Sequence, residues 1–97
     1  MRKVRIIVNH PVGLHARPAA QFVKATSKYE SEVTVANITK ESEAVNAKSI
    51  LLILTLGVQQ GHEIEIIANG ADERELIKDL KDLVENNFGE EATNTAS

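Results

Sequence analysis

The residues of this chain best suited to do chemistry are His15 and Arg17, which stand just before Pro18 in the segment Gly13-Leu14-His15-Ala16-Arg17-Pro18-Ala19-Ala20. Proline is accommodated in the first turn of a helix, where backbone N–H groups lack an intrahelical acceptor. The spacing therefore predicts a histidine at the mouth of a helix. Asn9, Pro11 and Gly13 break the apolar run before it, and Gly13 supplies a tight bend. The imidazole then stands beside backbone donors, the positive end of a helix dipole and a guanidinium. That setting fits a phosphoryl group.

Histidine is the side chain whose charge changes near neutrality, so a neutral and nucleophilic imidazole is accessible in the cell. A helix N-terminus disfavours a nearby cation by roughly 0.3–1 kcal/mol, which favours the nucleophilic form. A phosphorylated ring carries negative oxygens, and the N–H groups of Ala16 and Arg17, with the Arg17 side chain, become their partners. Several converging arginines would retain the group; one arginine and a helix end suit a group received and handed on. A histidine near a helix start is ordinarily a surface residue or a cap. Its combination with Gly13, Arg17 and Pro18 sets His15 apart.

On these residues the chain resembles the HPr family, the histidine-containing phosphocarriers of the bacterial sugar phosphotransferase system, in which G-[LI]-H-x-R-P-A surrounds the phosphorylated histidine. The resemblance continues through Gln21-Phe22-Val23-Lys24, Ala47-Lys48-Ser49, Thr55-Leu56-Gly57, Gln60-Gly61 and Gly70-Ala71-Asp72-Glu73. It implies a phosphoryl group received on His15 from enzyme I, originating in phosphoenolpyruvate and passed to sugar-specific enzyme IIA proteins. Arg17 would contact the phosphate. The protein would be a stoichiometric carrier rather than an enzyme, with no cofactor.

The 97 residues suffice for one domain with a modest core, expected over 1–89 with a flexible tail at 90–97. There is no cysteine, which excludes disulfides and thiolate metal sites and suits a reducing compartment. A net charge of -3 and only three aromatic residues (Phe22, Tyr29, Phe88) argue against nucleic acid. Residues 4–8 are too short and strand-like for a signal peptide, and the apolar run 50–54 falls far below the ~20 residues of a membrane span. A cytoplasmic monomer without membrane insertion is the expectation.

The elements that must position His15 follow from periodicity. Residues 4–8, rich in β-branched side chains, read as a strand. Ala16, Ala19, Ala20 and Val23 share one helical face over 16–28. Val33 and Val35 alternate in a second strand at 32–36, with a weaker return strand at 39–45 and a turn near 37–41. That hairpin is longer than the family's. Ile64, Ile66 and Ala68 mark a fourth strand at 63–68. Leu76, Ile77, Leu80, Leu83, Val84 and Phe88 line a helix over 71–88, with Asp72 and Glu73 in its first turn and Gly89 as its C-cap.

The order is β-α-β-β-α-β-α, an α+β protein with helices over one side of an antiparallel sheet. Periodicity alone admits other split β-α-β domains. The resemblance implies the HPr open-faced β-sandwich, four strands covered on one face by three helices.

Ser49 precedes the run Ile50-Leu51-Leu52-Ile53-Leu54 and reads as a helix N-cap. Taken alone, the run is either a short helix with exposed apolar residues or a buried strand. The resemblance implies the helix, lying beside the His15 helix and building the partner surface with it. Leu51 and Leu54 occupy positions where methionine is common; Lys48 adjoins them, and Ala20, Gln21 and Lys24 are their companions on the other helix. Ser49 aligns with a serine that HPr kinase/phosphorylase modifies in many Gram-positive relatives and that in others is only a cap; both roles stay open. A regulatory module of the same fold, acting on a transcription regulator through Ser49 and the apolar patch, is the alternative to phosphoryl transfer. Neither His10 nor His62 has metal-ligand spacing to His15, so no metal is expected.

Overall fold

Alternation along three strands decides which side of the sheet is buried. Val4, Ile6, Ile64, Ile66, Ala68, Val33 and Val35 point to one side, and the fully enclosed Ile64, Ile66 and Val35 lie at its centre. The computed structural model describes residues 1–89. Its elements are β1 (Arg2–Ile7), α1 (Ala16–Thr26), β2 (Glu32–Asn37), β3 (Val45–Asn46), α2 (Ile50–Thr55), β4 (Glu63–Asn69), α3 (Glu73–Glu85) and a closing 3-10 turn at Asn87–Gly89. The tail expected at 90–97 lies outside the described residues.

The strands lie in the order β1-β4-β2-β3 and every neighbour pair is antiparallel. Register puts Val4 and Val35 on either side of Ile66, and Ile6 beside Ile64, so one face is continuously apolar. Phe22 and Ala19 of α1, Ile53 of α2 and Leu76, Leu80 and Val84 of α3 pack on it. Each large side chain so enclosed contributes about 1.5–3 kcal/mol relative to exposure. The α+β arrangement, four strands under three helices, is the expected one.

Boundaries differ from expectation in several elements: β1 runs Arg2–Ile7 rather than 4–8, and β2 and β4 each extend one residue further. The return strand is only Val45–Asn46, not 39–45. Residues 38–41 turn instead: Glu41 donates to the Ile38 carbonyl at 3.0 Å and takes a positive φ of 55°. Ile38 and Thr39 bond outward to Glu63, with the Glu63 N–H donating to Thr39 Oγ1 at 2.7 Å. Helix α1 stops at Thr26 rather than near Lys28, because Lys28 and Tyr29 donate to the Ala25 and Thr26 carbonyls in tight turns.

Helix α3 runs only from Glu73 to Glu85. Asp72 caps it in position but gives its carboxylate to the turn between α1 and β2, accepting from the amides of Glu30 and Ser31 and from the Ser31 hydroxyl. At the other end Asn86 is the C-cap, and Asn87 and Phe88 adopt φ of 53° and 59°. The left-handed turn thus falls before Gly89. It leaves Phe88 buried, edge-on to His10 at 5.8 Å, instead of on the helical stripe.

Candidate functional site

The loop between β1 and α1 is held by its backbone. Val8 donates to the His62 carbonyl at 2.9 Å and Gly61 donates back to Val8 at 2.7 Å. Gln60 Nε2 donates to the Asn9 carbonyl at 3.0 Å. His10 is buried; its carbonyl accepts from Gly13 and its Nδ1 accepts from the Val12 N–H at 3.2 Å. Gly13, at φ 63°, passes so close to the next segment that a Cβ would meet the Val58 carbonyl oxygen at 2.1 Å. Only glycine satisfies both the conformation and the approach.

That approach brings the Leu14 N–H onto the Val58 carbonyl at 3.0 Å, with the Leu14 side chain buried. The chain then turns outward. His15 is exposed at the N-cap of α1, with extended φ/ψ of -100° and -176°, and its carbonyl accepts from Ala19 at 2.8 Å to open the helix. Its imidazole makes no capping bond, so the ring is not consumed by local structure. Ala16 and Arg17, both exposed, supply the opening amides that a helix directs out of its amino end; Pro18 has none and is buried. The exposed His15 imidazole and the exposed first-turn residues Ala16 and Arg17 thus share one helix end.

The other two histidines are bound into structure. His62 Nδ1 accepts from the Gln59 N–H at 3.1 Å and lies 3.1 Å from Asn37 Nδ2. Among the described residues no group of three or more His, Asp and Glu side chains is placed to hold a metal.

The second cluster is α2, a helix packed against α1. Ser49 is its N-cap, the hydroxyl accepting from the Leu52 N–H at 3.3 Å. Only Ile53 is enclosed; Leu51 is 73% exposed, and Ile50, Leu52 and Leu54 are about two-fifths exposed, at 38–40%. Ile50 and Leu52 therefore join Leu51 and Leu54 on this surface. The all-apolar run was the available signal, since a six-residue helix on one sheet can hide only one side. Val12, 55% exposed in the His15 loop, gave no such signal: a lone valine between Pro11 and Gly13 reads as loop filler.

Ala20, Gln21 and Lys24 are exposed together on α1. Lys48 is placed differently. It is half-buried and its Nζ donates to the Tyr29 carbonyl at 2.7 Å, tying the end of α1 to the residue before Ser49. Tyr29 in turn donates its hydroxyl to Asp79 at 2.8 Å, which pushes the phenol above its usual range.

Comparison with known proteins bears on this arrangement. Residues 2–86 match the family model PTS-HPr, described as the PTS HPr component phosphorylation site. The chain is 45% identical over 78 residues to a multiphosphoryl transfer protein of Haemophilus influenzae, covering 80% of this chain but 16% of that one. It is 40% identical to the phosphocarrier protein HPr of Neisseria meningitidis, covering 93% of this chain and 98% of the relative. Among solved structures, HPr-C-His from Thermoanaerobacter tengcongensis superposes with a TM-score of 0.87 at 49% identity, covering 94% of this chain and 99% of that one.

Proposed function

The chain belongs to the HPr family of phosphotransferase-system components, and from that premise we propose that it carries a phosphoryl group on His15. The observation that supports this is the exposed imidazole at the N-cap of α1, unengaged in capping and one residue from the opening amides. A neutral ring nitrogen attacks the phosphorus as the donor–phosphorus bond breaks, and that bond's electron pair returns to the donor. The amides of Ala16 and Arg17 and the Arg17 guanidinium meet the developing negative charge. With little enclosure around the ring, the group stays accessible to a second protein.

Donor and acceptor are enzyme I and enzyme IIA proteins of the cytoplasm, docking on the apolar surface of α2 and on Ala20, Gln21 and Lys24 of α1. Exposed leucines beside a transferable group suit two partners that bind in turn. Ser49 is a candidate for regulation by HPr kinase/phosphorylase. A dianion at that N-cap is locally favourable and sets charge at the head of the apolar helix, which obstructs docking. The exposed histidine favours transfer over a purely regulatory module.

The test is labelling from phosphoenolpyruvate and enzyme I. The carrier takes one acid-labile, alkali-stable label that His15→Ala abolishes; a label retained by His15→Ala, or none on the parent protein, overturns the assignment.

A further inference from the structure

The segment that follows α2 passes the His15 loop with almost no clearance. At Gly13 an added Cβ would meet the Val58 carbonyl oxygen at 2.1 Å and the Gln59 Cα at 2.8 Å. The Val58 carbonyl also takes the Leu14 N–H, and Leu14 immediately precedes His15. Whatever fixes Val58 therefore fixes the point at which His15 emerges.

Two side chains hold Val58 from either side. Asn37 is fully buried at the end of β2; its Oδ1 accepts from the Lys40 N–H at 3.3 Å and its Nδ2 donates to the Leu56 carbonyl at 3.1 Å. Those two bonds settle which end of the amide is the donor. Nδ2 also lies 3.1 Å from His62 Nδ1, and the Gln59 N–H donates to the same ring nitrogen at 3.1 Å. Two N–H donors thus converge on one nitrogen, which keeps its lone pair, and the ring proton of His62 sits on Nε2. Leu56 and Gln59 are both anchored in this way, with Val58 between them. His62 is itself tied to the strand side of the loop, its carbonyl accepting from Val8 at 2.9 Å.

We propose that His62 is a positioning residue for phosphoryl transfer: its Nδ1 staples Gln59 to Asn37, and so holds the Val58 carbonyl that seats Leu14 and aims His15. The proposal rests on the carrier assignment above. His62 acts through Val58 and not on the phosphoryl group itself. A slight misplacement of a reacting group lowers the rate of a bound complex, by as much as about 100-fold. Docking through α1 and α2 stays as it was. The competing role is structural, closing the turn before β4. That role changes stability and leaves the transfer rate of the folded protein alone.

Single-turnover transfer from phosphorylated enzyme I of the same organism to the intact protein separates the two, with thermal unfolding in parallel. His62→Leu removes the acceptor, whereas His62→Asn sets an oxygen where Nδ1 stands and still accepts. His62→Leu is expected to lower the maximal transfer rate about 3- to 10-fold at an unchanged half-saturating concentration, and to shift the Leu14 amide resonance. His62→Asn restores both, and nitrogen NMR of the parent ring finds the proton on Nε2. A parental rate in His62→Leu, whatever its Tm, leaves only the structural role and overturns the proposal. So does a loss confined to half-saturation, an equal loss in His62→Asn, or a ring proton on Nδ1. If His62→Leu does not fold, His62→Gln, whose acceptor falls one carbon beyond the Nδ1 position, takes its place. Failure of the carrier assignment shows separately, because the unsubstituted protein then takes no label, and the positioning role falls with it.

Discussion

Leu14 donates its N–H to the Val58 carbonyl at 3.0 Å, and that bond sets the point at which His15 leaves the loop for solvent. Gly13 makes it possible by lying where any Cβ would strike the same carbonyl. Gly13→Ala is expected to destabilise the fold by about 1–3 kcal/mol, the cost of a strained backbone, and to slow phosphoryl transfer because His15 is displaced. Gly61→Ala is the control: φ is also positive at 89°, but nothing lies within 4 Å of the added carbon. It should cost stability without a comparable loss of transfer, as denaturant unfolding and labelling rates together would show.

Leu51 is the most exposed residue of α2, at 73%. Leu51→Glu should therefore leave stability within about 0.5 kcal/mol of the parent. The same substitution charges the proposed docking surface and should slow labelling by enzyme I severalfold. Transfer at the parental rate would remove α2 from the interface.

Ser49 caps α2 through the Leu52 N–H, so Ser49→Ala should cost about 0.5–2 kcal/mol in denaturant unfolding. Ser49→Asp keeps an acceptor at the N-cap and should recover most of that loss. If Ser49 also regulates, the aspartate variant takes label from enzyme I more slowly than the alanine variant despite its greater stability.

Two neighbouring carboxylates make the fold acid-sensitive at the end of β4. The Ser31 hydroxyl and the Glu30 amide hold Asp72 below the ordinary carboxylate range, and the Gly70 amide with the N-terminal ammonium does the same for Glu73. A depressed folded-state pKa contributes stability that is complete above the unfolded value, about 4, and is lost as pH falls through the folded value. Asp72→Asn should accordingly lower Tm at neutral pH and converge on the parent as pH falls below the unfolded carboxylate value of about 4. Parallel Tm curves would show that Asp72 adds nothing through its charge.

Local chemistry made His15, Arg17 and Pro18 legible, because a helix start is written in adjacent residues. The sheet and its buried face were equally plain in the alternation of Ile64, Ile66 and Ala68. Positions set by distant partners were not. Lys48 looked like surface until its bond to the Tyr29 carbonyl, Asp72 like a helical residue until Ser31 claimed it, and the 39–45 segment like a strand until Thr39 turned to Glu63. Each of those choices was made by a group 19 to 41 residues away, beyond the reach of any periodicity. The all-apolar α2 stood between the two cases: its cap was readable at Ser49, while the choice of Ile53 as the buried residue required the sheet beneath it.

Amide NMR of the protein before and after phosphorylation by enzyme I reads the central claim residue by residue. The account predicts that the label appears on the His15 ring and that the Ala16 and Arg17 N–H resonances move most, with the amides of β4 nearly still. A label on His10 or His62, or a phosphorylated His15 that leaves the Ala16 and Arg17 amides unmoved, would contradict it.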